Sequence, residues 1–321
     1  MNRPYLFPEK NLFKHFKALK HAWTGASVFL DVQHFIVHID DHKRPFTLMP
    51  QFITFHHKQK RQILEFDHDV HRFIGWRPYT FRSIPLLTDK RQFKTWLKEK
   101  GCLTPAFSTT PSGLENVLLK NATSAYANLI RGPYRKSEEC PFNLETGDFF
   151  EAFIEGTITK TWCWNAQPIC MEFHTMPTVV GDGQSTIRDL ILRHLGAGMQ
   201  GPNWKAIEAV LTYDEQTLDT VLANASTQRV DFRYASRLSQ ADEINTQLYA
   251  NIKQPFVTEQ LDRVARCLWQ DVIARHHREL LYTIDAILTP DNQLWLLEAN
   301  ANPVVHPLTY PYMAAAMKAS S

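Results

Sequence analysis

The segment from Tyr282 to Asn300 constrains this chain most. Two apolar runs, Tyr282-Thr283-Ile284-Asp285-Ala286-Ile287-Leu288 and Leu294-Trp295-Leu296-Leu297-Glu298-Ala299-Asn300, flank the turn-forming Pro290-Asp291-Asn292. This reads as two strands joined by a turn. Three oxygen-bearing side chains interrupt the runs: Asp285, Glu298 and Asn300. Glu298 and Asn300 are two apart, so on a strand they share a face. If the strands pair, Asp285 joins them. Two carboxylates and an amide oxygen suit a hard octahedral cation such as Mg²⁺, which prefers oxygen and bridges to phosphate. Burying two carboxylates without a cation costs several kcal/mol. An ordinary hairpin with its polar face in water satisfies the same pattern, so the rest of the chain has to decide.

The 321 residues carry a net charge of +2, and 44% are hydrophobic against 21% charged. That is the balance of a globular protein with two or three packed subdomains. It offers no argument for nucleic acid or an acidic membrane as partner. No apolar run approaches the roughly 20 residues that span a bilayer. The start, Met1-Asn2-Arg3-Pro4-Tyr5-Leu6, lacks a signal-peptide pattern, so a cytoplasmic protein is expected. The five cysteines form no CxxC and read as free thiols. Nine of the 14 histidines precede residue 75. His34, His38 and His42 fall on a strand-like segment, where positions four apart do not converge as they do on a helix. Without HExxH or Cys/His pairing, no metal site is expected there.

Residues 1–85 form an N-terminal region with strand-like runs at Ser27–Leu30 and Phe35–Ile39 and no GxGxxG. A helix follows, with Thr88 as N-cap, Phe93, Trp96 and Leu97 on one face, and Gly101 at its stop. Asn116–Lys120 reads as a buried strand ending in lysine, and residues 132–147 as a loop. Further strands are expected at Phe149–Ile154, Thr159–Trp164 and Ile169–Phe173. Val179-Val180-Gly181-Asp182-Gly183 turns into a helix opened by a Thr186/Asp189 capping box. Other helices are expected at about 215–224 and from Thr258 onward. The elements mix without strict βαβ alternation, which favours α+β subdomains.

In order, several of these pieces resemble the ATP-grasp superfamily, in the branch of cyanophycin synthetases, bacterial glutathione synthetases and D-alanine–D-alanine ligases. They are Asp89-Lys90 opening a helix that ends in Gly101 before Thr104-Pro105; the strand Val117–Lys120; Glu151-Ala152-Phe153-Ile154 with Gly156; Val179–Gly183 with Ser185-Thr186-Ile187; and Ile284-Asp285 with Leu297–Asn300 and Pro303. The resemblance runs from Thr88 to about Pro307. It implies an α+β fold: an N-terminal α/β region at 1–85, then subdomains at 86–147 and 148–321 clasping ATP. Lys90 and Lys120 would meet the phosphates. Ala152, Phe153 and Ile154 would meet adenine through backbone groups, as part of a hinge strand that begins at Glu151. Glu155 would stand in for the ribose-binding acid, and Ser124 would donate a hydroxyl from the flap. Arg233, with Lys120, would act on the transferring phosphoryl group. Asp285, Glu298 and Asn300 would hold two Mg²⁺, for which Mn²⁺ could substitute, with Glu298 bridging.

The implied activity is an ATP-dependent carboxylate–amine ligase working through an acyl-phosphate. Its reactants would be a small or peptide carboxylate and an amine. A homodimer is left open. The chain also departs from the pattern. The flap Asn121–Asn128 lacks glycine, and Ile158 replaces the usual ribose-binding acid. Thr283 stands where dipeptide-forming ligases carry arginine, and Val304 follows Pro303 where glycine is common. A kinase-like phosphotransferase and a nucleotide-binding regulatory protein therefore stay open as alternatives.

Overall fold

The computed structural model describes residues 9–56, 59–65, 70–111, 113–123, 130–196, 201–234, 236, 238–239, 244–276 and 279–319. The chain opens with helix α1 (Glu9–Ala22) and strands β1 (Ser27–Asp31), β2 (Ile36–Asp40), β3 (Pro45–His56), β4 (Gln59–Ile63) and β5 (Val70–Arg77). These strands form one antiparallel sheet in the order β1-β2-β3-β4, with β5 also paired to β3. The N-terminal α/β region is thus one helix followed by a five-stranded antiparallel sheet.

Helix α2 (Lys90–Glu99) follows. Its N-cap is Asp89 rather than the expected Thr88. The Asp89 carboxylate accepts from the Arg91 and Gln92 N–H groups, while the Thr88 hydroxyl is turned to the Ile84 carbonyl. Next come β6 (Phe107–Ser108), β7 (Glu115–Asn121), β8 (Arg131–Lys136) and β9 (Asp148–Ala152), in the order β6-β9-β7-β8. The expected loop at 132–147 therefore begins as a strand. Pro133 and Gly132 masked it, because β8 is an edge strand where proline costs no ladder bond.

The chain continues through β10 (Thr157–Trp164), β11 (Gln167–His174), β12 (Thr178–Val180), α3 (Ile187–Leu195), α4 (Trp204–Tyr213), β13 (Thr227–Arg229), β14 (Ile244–Leu248) and α5 (Pro255–Leu268). A π-helical turn, Trp269–Ile273, leads into the short α6 (Ala274–His276). Strands β15 (Leu281–Leu288) and β16 (Leu294–Asn300) and helix α7 (Tyr310–Ala319) close the chain. The closing hairpin and the Thr186/Asp189 capping box stand as expected. The helix expected at 215–224 does not. It lies earlier, at Trp204–Tyr213, where Asn203 caps it and Ile207, Val210 and Leu211 are buried. Helix α5 starts at Pro255, ahead of Thr258, because proline suits the first turn where its missing N–H is not needed.

The central sheet has the order β14-β11-β10-β15-β16, all antiparallel. Its core is continuous with the N-terminal sheet: Trp23, Phe52, Phe73 and Trp76 pack in one cluster with Tyr282, Leu296, Val264 and Tyr310. A smaller core joins α3 and α4 through Ile187, Ile191, Ile207 and Leu211. Leu118, Phe153, Val210, Tyr213 and Phe232 link α4 to the four-stranded sheet. No described helix is long and apolar enough to cross a membrane.

Candidate functional site

The register of the central sheet builds a polar face. Glu172 of β11 lies opposite Lys160 of β10, Lys160 opposite Asp285 of β15, and Asp285 opposite Glu298 of β16. With strands about 4.8 Å apart, these four side chains form one row across the sheet. Two residues along, Trp162, Thr283 and Asn300 form the neighbouring row. On the other side stand His174, Ile158 and Ile287. All ten residues line a cavity of about 1120 Å³. The four-stranded sheet supplies the opposite wall through Leu118, Lys120, Glu151 and Ala152, and α2 adds Lys90 at its first turn.

The row alternates charge. The Lys160 ammonium is 2.6 Å from Asp285 Oδ1, and Lys90 reaches from α2 to Glu298 Oε2 at 3.2 Å. Burial and the adjacent Glu298 carboxylate raise the Asp285 pKa against the pull of Lys160. Each acid of the facing pair is thus met by a lysine. That is the donor set a divalent cation would take over: two carboxylates face to face, with the Asn300 amide on the same face. Among the described residues no group of three or more His, Cys, Asp or Glu is placed to hold a metal. Two carboxylates and an amide leave the remaining octahedral positions to phosphate oxygens and water, the usual manner of Mg²⁺. The residues present fit the group.

On the opposite wall, Glu151 is fully buried between two ammonium groups. Lys120 bonds its Oε1, and Lys94 lies 2.6 Å from its Oε2. Lys94 also donates to the Thr104 hydroxyl at 3.3 Å. Burial lowers the Lys94 pKa to about 8, with Glu151 resisting. Burial alone would raise the Glu151 pKa, but the two lysines outweigh it and hold the group ionised. Glu151 therefore acts through its side chain, as counter-charge to the lysine expected at the phosphates.

The backbone beyond it is less open than expected. The Ala152 N–H donates to the Ala106 carbonyl at 2.8 Å and the Phe153 N–H to the Asn116 carbonyl at 2.6 Å. Both donors are spent within the protein, which leaves the Ile154 N–H as the candidate donor of this segment. Phe153 is edge-on to Tyr213 and Phe232, with centroids 5.7 and 5.2 Å away, and borders the cavity.

Arg233 lines the cavity from an irregular segment, not the strand its sequence suggested. Asp231 holds it: the carboxylate accepts from its guanidinium at 2.7 Å and from the Phe232 and Arg233 N–H groups. Glu155 departs from expectation. It is exposed, tied to Arg229 at 3.1 Å, and absent from the cavity lining. Arg229 is drawn there because Asp214 anchors it at 2.5 Å. Ser124, like Arg237 beside the Arg233 segment, lies outside the described residues.

Lys94, Lys160, Glu172 and His174 were not singled out from the sequence. The signal for two of them was present: Lys160 and Glu172 sit in strand-like runs, in phase with Trp162 and Cys170. A charged residue at a buried strand position needs a partner.

No protein-family model matches the sequence, and no curated protein matches it. Solved structures similar to the chain include a bifunctional glutathione synthetase from Pasteurella multocida (13% identity, TM-score 0.44, covering 95% of this chain and 43% of the other). Another is a D-alanine–D-alanine ligase from Bacillus anthracis (11%, 0.41, 73% and 68%). A third is an ATP-grasp ligase complexed with a minimal precursor (10%, 0.40, 74% and 61%). The chain therefore spans under half the length of the first of these structures and about two-thirds of the other two.

Proposed function

We propose that this chain is an ATP-dependent carboxylate–amine ligase of the ATP-grasp kind, dividing at about residues 85 and 147. The observation that carries the reading is the row Lys160–Asp285–Glu298, with Lys90 above it and Lys120 on the facing wall, all around one cavity. Five charged groups converging on one open cleft have the chemistry of a polyphosphate site.

In this reading Lys90 and Lys120 leave Glu298 and Glu151 for the nucleotide phosphates. Phe153 and the Ile154 N–H border adenine. Asp285, Glu298 and Asn300 would hold Mg²⁺, or Mn²⁺ in its place, and such a cation would supply charge neutralisation for the phosphates. A substrate carboxylate oxygen attacks the γ-phosphorus, and the bond to ADP breaks with its electron pair. Lys160 and Arg233 face the charge that develops. The amine nitrogen then attacks the acyl carbon. The C–N bond forms, the C–O bond to phosphate breaks, and the amine proton leaves with the departing phosphate. No protein nucleophile is needed; the chain supplies position, charge and exclusion of water.

The test is ADP and phosphate release with Mg-ATP against pooled amino acids and small carboxylates, with mass spectrometry of the products. The expected result is ADP release that needs both a carboxylate and an amine, and a condensed product. A phosphorylated product without an amine requirement would replace the ligase reading with a kinase-like one. Nucleotide binding without turnover on any carboxylate would replace it with a binding protein.

A further inference from the structure

Glu151 has one ammonium more than its charge requires. Lys120 of β7 bonds its Oε1, and Lys94 Nζ of α2 lies 2.6 Å from its Oε2. The Lys94 and Glu151 side chains are 0% and 2% exposed, and that of Lys120 is 8% exposed. Two buried ammonium groups on one buried carboxylate leave a positive charge in excess. Charge without its opposite is the costly state of a protein interior. The cost shows at Lys94. Burial, and then Lys120, lower its pKa to about 8, although Glu151 and Glu298 pull the other way.

The two lysines differ in where they can go. Lys120 lines the cavity together with Glu151, and Lys94 does not. Lys94 also donates to the buried Thr104 hydroxyl, 3.3 Å away. It follows Lys90 by four residues on α2, on the same helix face. One helix thus sends a lysine to each wall, Lys90 to Glu298 and Lys94 to Glu151. At Glu298 the departing lysine has a replacement, the divalent cation of the proposed site. At Glu151 there is no such replacement, because Asp285, Glu298 and Asn300 stand on the facing sheet. Without Lys94, a departing Lys120 would strand a buried carboxylate.

We infer that Lys94 is a positioning residue for nucleotide binding: it keeps Glu151 neutralised when Lys120 turns to the phosphates, and so frees Lys120 to bind them. The inference rests on the nucleotide reading of the cavity and goes beyond it by giving a role to a lysine that does not reach the ligand. The excess charge of the cluster is then the charge spent on the phosphates. With nucleotide bound, Glu151 and Lys94 balance one another, Lys120 is balanced by phosphate, and no proton has to move.

The experiment measures Mg-ATP binding to the full chain by calorimetry at pH 7. The parent is compared with Lys94→Met, Glu151→Gln and the double variant, and the thermal melt of each is recorded. Methionine keeps the bulk of the side chain and removes its charge, so Glu151 is left with Lys120 alone and retains it. The expected result is at least tenfold weaker ATP binding in Lys94→Met. Adding Glu151→Gln recovers that loss, since a neutral amide no longer retains Lys120, and the double variant binds ATP as the Glu151→Gln chain does. A Lys94 that served only to pack the core would weaken binding equally in both backgrounds. That outcome would overturn the inference, as would parent-like affinity in Lys94→Met. If Lys94→Met does not melt cooperatively, Lys94→Gln carries the same comparison. No ATP binding by the parent chain would instead overturn the nucleotide reading itself.

Discussion

At the scale of single residues, the site is a balance of paired charges. Glu298 and Asp285 face one another across two strands, and each is met by a lysine. In the proposed reading this carboxylate pair exchanges its lysines for a divalent cation. Replacing one acid by an amide removes half of that charge without changing shape. Glu298→Gln is therefore expected to abolish Mg-dependent ADP release while leaving the thermal melting curve close to that of the parent; retained turnover would remove Glu298 from the metal site. Lys120 is the only cation that bonds Glu151 Oε1 among the described residues. Lys120→Ala should weaken ATP binding by roughly 1.5–3 kcal/mol, the range for a hydrogen bond to a charged group. Calorimetry showing unchanged ATP affinity would place Lys120 outside the nucleotide site.

At the scale of elements, the segment after β16 is fixed from the N-terminal sheet. Val305 N–H donates to the Ile74 carbonyl at 2.8 Å, and buried Arg77 donates to the Pro303 carbonyl and, at 3.3 Å, to the Asn302 amide oxygen. Gln62 donates to the Asn302 carbonyl at 2.8 Å. The residues that follow Asn300 are thus positioned by β4 and β5, over 200 residues earlier in the chain. Gly75 makes this approach possible. Its φ is +109°, and a Cβ there would overlap the Val305 side chain. Gly75→Ala should cost about 1–3 kcal/mol in urea unfolding through overpacking and lower ADP release as well, because the shifted segment lines the cavity through Asn302 and His306. A variant as stable as the parent would mean that the two elements part without cost.

For the whole molecule, the shared core makes the N-terminal sheet and the central sheet one packed unit. His15 reports on it. It is buried between Phe73 and Tyr310, and its Nδ1 accepts from the Tyr310 hydroxyl at 2.8 Å. Burial, with His306, Lys14 and Arg72 nearby, lowers its pKa to about 3. The unfolded chain binds a proton near the ordinary histidine value of 6.5, the folded chain only near 3, so stability falls as pH drops through this window. Between pH 7 and pH 5 the loss should be about 2 kcal/mol, since each pKa unit is worth about 1.4 kcal/mol. Urea titrations at the two pH values check this. His15→Phe should start less stable, with the Tyr310 hydroxyl keeping only its bond from the Trp76 N–H, but should lose the part of the acid sensitivity that His15 supplies. An unchanged slope would show that His15 stays solvated.

Much of this was legible in local pattern. The closing hairpin, the buried strand ending at Lys120 and the Thr186 capping box are specified within a few residues, because alternation and capping are short-range physics. The same physics placed Asp285, Glu298 and Asn300 on one face before any partner was known. Local pattern failed where long-range contacts decide. Proline at an edge strand concealed β8, and α4 was placed about eleven residues late because its burial is set by β8 and α3. Glu155 was read as ribose-binding from its place after the hinge, but Arg229, itself anchored by Asp214, holds it away from the cavity. Lys94 and Glu172 acquired their places in the site only through partners on other strands and helices. Sequence alone determined which side chains share a strand face. Only the tertiary structure determined which faces meet, because strand register and shared burial are set by residues far apart in the chain.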